Sequence, residues 1–135
     1  MTSIIVMSHG GLAAELLKSA KMIVGELRNF QAVGMTAADG LNGTQRKLTQ
    51  ALENVPQDDD VLILADLFGG TPCNVAMLTA AQSHDKIKVI SGVNLGMILE
   101  CAMNSDRDDL VDHLLTTGRQ GIRIAETLTL ADDDE

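Results

Sequence analysis

The chain has 135 residues, 45% of them apolar, and a formal charge of −9 at pH 7, enough apolar material for one core of ordinary domain size. With two Phe, no Tyr, no Trp and no basic stripe, it lacks the stacking surface and the phosphate-neutralising cations of a nucleic-acid binder. Cys73 and Cys101 stand far apart without CxxC spacing, which argues against a disulfide framework or a structural zinc; no stretch reads as a membrane span or secretory leader, so the expectation is a cytoplasmic protein.

The first apolar run, Ile4 to Met7, predicts a strand that leads through Ser8 and His9 into Gly10-Gly11. Leu12, Leu16, Leu17, Ala20, Ile23 and Val24 then share one helical face, and Gly25 is placed to end that helix in a left-handed cap. Phe30 to Met35 predicts a second strand. Leu48, Ala51, Leu52 and Val55 support a second helix that starts somewhere between Leu41 and Thr44 and stops before Pro56.

Val61 to Ala65 is a continuous apolar run, as expected of a strand covered on both faces. Thr71-Pro72 opens a third helix, with Thr71 as N-cap and proline at the first helical position, running to about Gln82. Ile87 to Ile90 predicts the fourth strand, Asn94 caps a helix through Met103, and Leu110, Val111, Leu114 and Leu115 mark a fifth helix ending at Gly118. Ile122, Ile124, Leu128 and Leu130 alternate with polar residues in period two, the pattern of a half-exposed strand, yet no strand of the chain is an evident partner for it.

This alternation predicts one α/β domain over residues 1–130 followed by an acidic tail, 131–135. The expected architecture is a doubly wound, central parallel four-stranded sheet of order 2-1-3-4. In that order strands 1 and 3 are neighbours, and their carboxyl ends flank the topological switch point where ligands of open sheets gather. His9 follows strand 1 and Asp66 follows strand 3.

A carboxylate that accepts Nδ1–H from an imidazole fixes its tautomer and leaves the Nε2 lone pair free as a nucleophile. Gly10-Gly11 and Gly69-Gly70 permit close backbone approach, and two helix starts aim N–H groups at the same cleft. The plainer reading of His9, a hydrogen-bonded loop histidine, stands beside this one. Thr71 reads first as a helix cap and second as an anion contact. His84, beside Asp85, reads as a solvated residue near a helix end, and His113, beside Asp112, as a solvated surface residue. The cysteines read as small core residues; His9, Asp66 and Cys73 outline a metal set only weakly, and no metal or cofactor is assigned. No GxxxxGK[ST] or GxGxxG loop is present.

Three blocks in order, Ile4-Ile5-Val6-Met7-Ser8-His9-Gly10, Asp66-Leu67-Phe68-Gly69-Gly70-Thr71-Pro72-Cys73-Asn74 and Ser91-Gly92-Val93-Asn94-Leu95-Gly96-Met97, resemble the mannose-family enzyme IIA domain of the bacterial sugar phosphotransferase system. The resemblance covers almost the whole chain. It implies that His9 accepts a phosphoryl group from the phosphocarrier protein HPr and passes it to a histidine of a IIB protein, serving membrane IIC and IID components indirectly. It implies that Asp66 holds the His9 ring.

The N–H groups expected around a bound phosphoryl are those of Gly10, Gly11, Leu12, Gly70 and Thr71. The resemblance further implies a homodimer in which a C-terminal strand adds antiparallel to the partner's sheet, giving the segment around Ile122 to Ala125 somewhere to pair. IIB is expected on a separate polypeptide, because the sequence stops without a linker. The alternatives are the phosphotransfer subunit of a dihydroxyacetone kinase system, a regulatory module without a transport role, and a non-catalytic anion-binding domain. The transported sugar is not legible in the chain.

Overall fold

The computed structural model describes residues 1–126. In chain order its elements are β1 (Thr2–His9), α1 (Leu12–Val24), β2 (Phe30–Met35), α2 (Gly40–Glu53), β3 (Asp60–Ala65), α3 (Thr71–Ala81), β4 (Ile87–Ser91), α4 (Leu95–Asn104) and α5 (Leu110–Gln120). The strands form one parallel sheet, as the alternation predicts, and its order is the expected β2-β1-β3-β4.

Successive strand residues point to opposite faces, and both faces are covered. Ile4 and Val6 of β1 with Leu62 and Leu64 of β3 pack against α1, α4 and α5 through Ala13, Leu17, Ile98, Cys101 and Leu114. Ile5, Met7, Val61 and Ile63 face the other way, onto Leu48 and Ala51 of α2 and Val75 and Ala76 of α3. Two half-cores sharing one sheet explain why β1 and β3 carry unbroken apolar runs.

β1 extends to His9 rather than ending at Met7, because pairing with β2 continues through Ser8↔Gly34 and His9↔Met35. α5 runs past Gly118 to Gln120. Gly118 is an interior packing position rather than a stop: a Cβ there would lie 2.9 Å from Met97 Sδ. Asn94 caps α4 as predicted, its Oδ1 accepting from Met97 N–H at 3.1 Å, and its Nδ2 donates to Gly118 O at 3.0 Å, which ties α4 to α5.

His113 is not simply solvated: its Nε2 lies 2.8 Å from Glu100 Oε2 on α4, and this bond, more than the opposing burial, holds the Glu100 carboxyl below the ordinary range. His84 is exposed, in a left-handed turn after α3. Both cysteines are buried, and desolvation first, then the charge of Glu100, pushes the Cys101 thiol up to about 12. Ile122 and Ile124 are exposed and belong to no strand among the described residues; Leu128 and Leu130, with the acidic tail, lie outside the described residues. No helix among the described residues is long and apolar enough to cross a membrane.

Candidate functional site at the switch point

The chain reverses its winding between β1 and β3, and His9 and Asp66 meet there. His9 Nδ1 lies 2.9 Å from Asp66 Oδ2, and the same oxygen accepts the His9 backbone N–H at 3.0 Å. Asp66 is anchored in turn by its own N–H, which donates to Met7 O at 3.0 Å. The Asp66 backbone is thus tied to β1 at Met7, and its carboxylate holds His9 two residues further along the same strand.

Burial alone would raise the Asp66 pKa. The backbone N–H of His9 and then its ring outweigh that, holding the carboxyl below its ordinary value. Asp66 is therefore ionised at neutral pH and acts only as an acceptor, so Nδ1 carries the hydrogen and, in the neutral ring, Nε2 keeps its lone pair. Because the folded-state pKa is depressed, this contact stabilises the fold above the ordinary carboxylate range and is lost as pH falls through the folded value. The His9 side chain is 44% exposed against 12% for Asp66, so the ring is open to solvent while the carboxylate that holds it is sheltered. Asp66 Oδ1 is buried without a partner among the described residues.

The glycines divide their work. Gly10 adopts φ +55° and Gly69 φ +87°, left-handed conformations that turn each chain from strand to helix. Gly70 leaves room for the imidazole: a Cβ there would sit 2.7 Å from His9 Cε1 and 3.3 Å from Nε2. The Gly10 N–H donates to Met35 O at 2.7 Å and the Gly70 N–H to Leu67 O at 3.2 Å. Both glycines therefore shape the pocket with their N–H groups occupied, whereas the N–H groups of Gly11, Leu12 and Thr71 have no acceptor among the described residues.

Thr71 is not the cap of α3. The cap is Gly70, in extended conformation, with no side-chain bond; Thr71 begins the helix and Pro72 follows it. The left-handed Gly69 places the turn one residue earlier than the Thr-Pro pair suggests, and Asn74 Nδ2 secures it by donating to Gly69 O at 3.3 Å. At the other helix, fully buried Ser8 accepts the Ala13 N–H on Oγ at 2.7 Å. This cap comes from inside the strand and escapes the usual spacing rule. No group of three or more His, Cys, Asp or Glu among the described residues is placed to hold a metal.

Alanine at Gly70 is expected to push the imidazole off Asp66, since the new methyl meets a ring held from its other side. The check is the ¹⁵N shifts of the His9 ring, which should move toward a mixed-tautomer pattern; unchanged shifts would show that the ring is not packed against Gly70.

Exposed apolar residues lie in the loops that follow His9 and Asp66: Leu12 at the start of α1 is 48% exposed, and Leu67 and Phe68 in the β3–α3 loop are 58% and 73% exposed.

A doubly wound α/β domain with a carboxylate-steered imidazole at its switch point is the class that these features define. The chain belongs to the EIIA-man family, whose model, described as PTS system fructose IIA component, matches residues 3–116; it is thus a mannose-family EIIA component of the sugar phosphotransferase system. It is 34% identical to the PTS system fructose-specific EIIA component of Bacillus subtilis (strain 168), over 92% of this chain and 86% of that protein. It is 31% identical to the PTS system mannose-specific EIIAB component of Escherichia coli (strain K12), over 90% of this chain but only 38% of that longer protein. Among solved structures, the mannose/sorbose specific IIA subunit from Enterococcus faecalis is 41% identical and superposes with a TM-score of 0.86, covering 96% of this chain and 98% of that one.

Proposed function

We propose that the protein is a cytoplasmic phosphocarrier: His9 Nε2 accepts a phosphoryl group from phospho-HPr and gives it to a histidine of a IIB protein during sugar uptake. The single observation that carries this reading is the 2.9 Å contact between His9 Nδ1 and Asp66 Oδ2, which leaves Nε2 as the only free ring nitrogen. The Nε2 lone pair forms a bond to phosphorus as the P–N bond of the donor phosphohistidine breaks and its electron pair returns to the donor imidazole. The Nδ1 proton stays on His9, shared with Asp66, which offsets the positive charge that builds on the ring.

A phosphorylated ring carries about two negative charges. The N–H groups of Gly11 and Leu12 at α1 and of Thr71 at α3 are the donors that stabilise its oxygens, helped by both helix dipoles. The apolar rim of Leu12, Leu67 and Phe68 suits a protein donor better than a small free anion, which needs polar walls. The sugar is selected elsewhere in the system: relatives of similar identity are named for fructose, mannose and sorbose. The test is labelling by phosphoenolpyruvate, enzyme I and HPr, with one acid-labile, base-stable phosphoryl expected per chain; absence of label with all components active would refute the reading.

The same proposal includes a homodimer. The outer edge of β4 has no partner strand among the described residues, and beside it lies a groove of about 410 Å³ whose lining includes Val89, Ile90, Leu114 and Leu115, with Arg119 and this chain's own Ile122 at the same groove. The segment with Ile122 and Ile124 of a second copy fits this edge. Sedimentation should give a dimer for the full chain and a monomer after truncation at Gly121; a monomeric full chain would contradict the assembly.

A further inference from the structure

The end of β2 carries a chain of contacts that leads to the reactive turn. Lys47 of α2 donates from Nζ to Gly34 O at 2.8 Å and to Asp39 Oδ2 at 2.6 Å. The same Asp39 oxygen accepts the Thr36 N–H at 2.7 Å. Gly34 and Thr36 bracket Met35, whose carbonyl accepts the Gly10 N–H at 2.7 Å. Gly34 itself presses on the turn, because a Cβ there would lie 2.4 Å from Gly10 O.

We propose that Asp39 and Lys47 are a positioning pair for His9: they pin the residues on either side of Met35, and through Met35 and Gly34 they hold Gly10 in the left-handed conformation that sets the ring and the Gly11 N–H. The proposal rests on the phosphocarrier reading only where it speaks of phosphoryl transfer.

Two further features support it. Asp39 stands at the N-cap of α2 yet makes no cap bond to that helix; its carboxylate turns back to the strand end instead. Gly43 makes room for this, since a Cβ there would come within 2.8 Å of Asp39 Cβ. The Lys47 bond, then the Thr36 N–H, hold the Asp39 carboxyl at about 2, so it is a carboxylate throughout the neutral range. Partly exposed pairs of this kind contribute little to global stability, which makes a local role separable from a global one.

The test uses the full chain with Lys47→Met, Asp39→Ala and Lys47→Arg. One arm reads amide exchange of Gly10 and the ¹⁵N shifts of the His9 ring by NMR; the other reads the rate of His9 phosphorylation by phospho-HPr. Lys47→Met and Asp39→Ala should speed Gly10 exchange about tenfold and slow phosphorylation about tenfold, because small misplacements of a reacting group cost that much. Lys47→Arg, which can still reach both acceptors, should restore both readouts to within about twofold, and the double variant Asp39→Ala/Lys47→Met should be no worse than the worse single.

Unchanged Gly10 exchange in folded Lys47→Met and Asp39→Ala would overturn the proposal; should Lys47→Met fail to fold, Asp39→Ala decides it. If the unaltered protein takes no phosphoryl from phospho-HPr, the functional reading fails while the exchange arm still judges the positioning pair.

Discussion

His9→Ala is expected to abolish phosphoryl labelling while leaving the chain folded. The two remaining histidines are poor substitutes: His113 Nε2 is engaged with Glu100, and His84 sits in an exposed turn far along the chain from either glycine loop. Neither has a carboxylate on Nδ1, as His9 has. The loss should therefore be complete to background. The fold survives because the His9 side chain is 44% exposed, and the variant forfeits one charge-assisted hydrogen bond worth about 2 kcal/mol. Assay of label incorporation, with thermal unfolding as control, checks both statements. Label retained at the wild-type level would remove His9 from the reaction.

Asp66→Asn is expected to slow transfer about 100-fold or more. Oδ2 receives two donors, the His9 backbone N–H and Nδ1, whereas Oδ1 is buried without a partner among the described residues. An amide that keeps its oxygen toward the two donors buries an NH₂ with no acceptor, at a cost of about 1–3 kcal/mol. An amide flipped the other way faces donors with a donor and drives the ring toward the tautomer with hydrogen on Nε2, which has no lone pair to attack with. In either orientation the negative charge that offsets the phosphorylated imidazolium is gone. Single-turnover rates from phospho-HPr decide the matter, and an Asn variant as fast as the parent would strip Asp66 of its steering role.

The sequence carries the layer order and the central pair well, for physical reasons that can be named. Val61 to Ala65 and Ile4 to Met7 read as doubly covered strands because their alternate residues serve two half-cores, so no polar face interrupts them. Asp66 stands out because a carboxylate directly after such a run demands a partner. Contacts made between distant segments were less legible. Ser8 caps α1 from within β1, five residues before the N–H it accepts, and so carries no local cap signature. Thr71-Pro72 carries a cap signature that the left-handed Gly69 displaces by one residue. Gly118 resembles a helix stop but serves close packing on Met97, and His113 resembles a surface residue because its partner, Glu100, belongs to another helix.

Gly34 did carry a usable signal, since an isolated glycine inside a strand marks close backbone approach. The approaching group, the Gly10 carbonyl, follows only from the register of β1 on β2. Likewise the occupied N–H groups of Gly10 and Gly70 are a consequence of strand pairing and turn closure, which the composition of a glycine pair does not specify.

The most direct test of the account is the site of phosphorus attachment on the imidazole. In ¹⁵N-histidine-labelled protein phosphorylated by phospho-HPr, the account predicts a single phosphorus coupled to Nε2 of His9, with Nδ1 still protonated against Asp66. Phosphorus coupled to Nδ1, or found on any other residue, would contradict it.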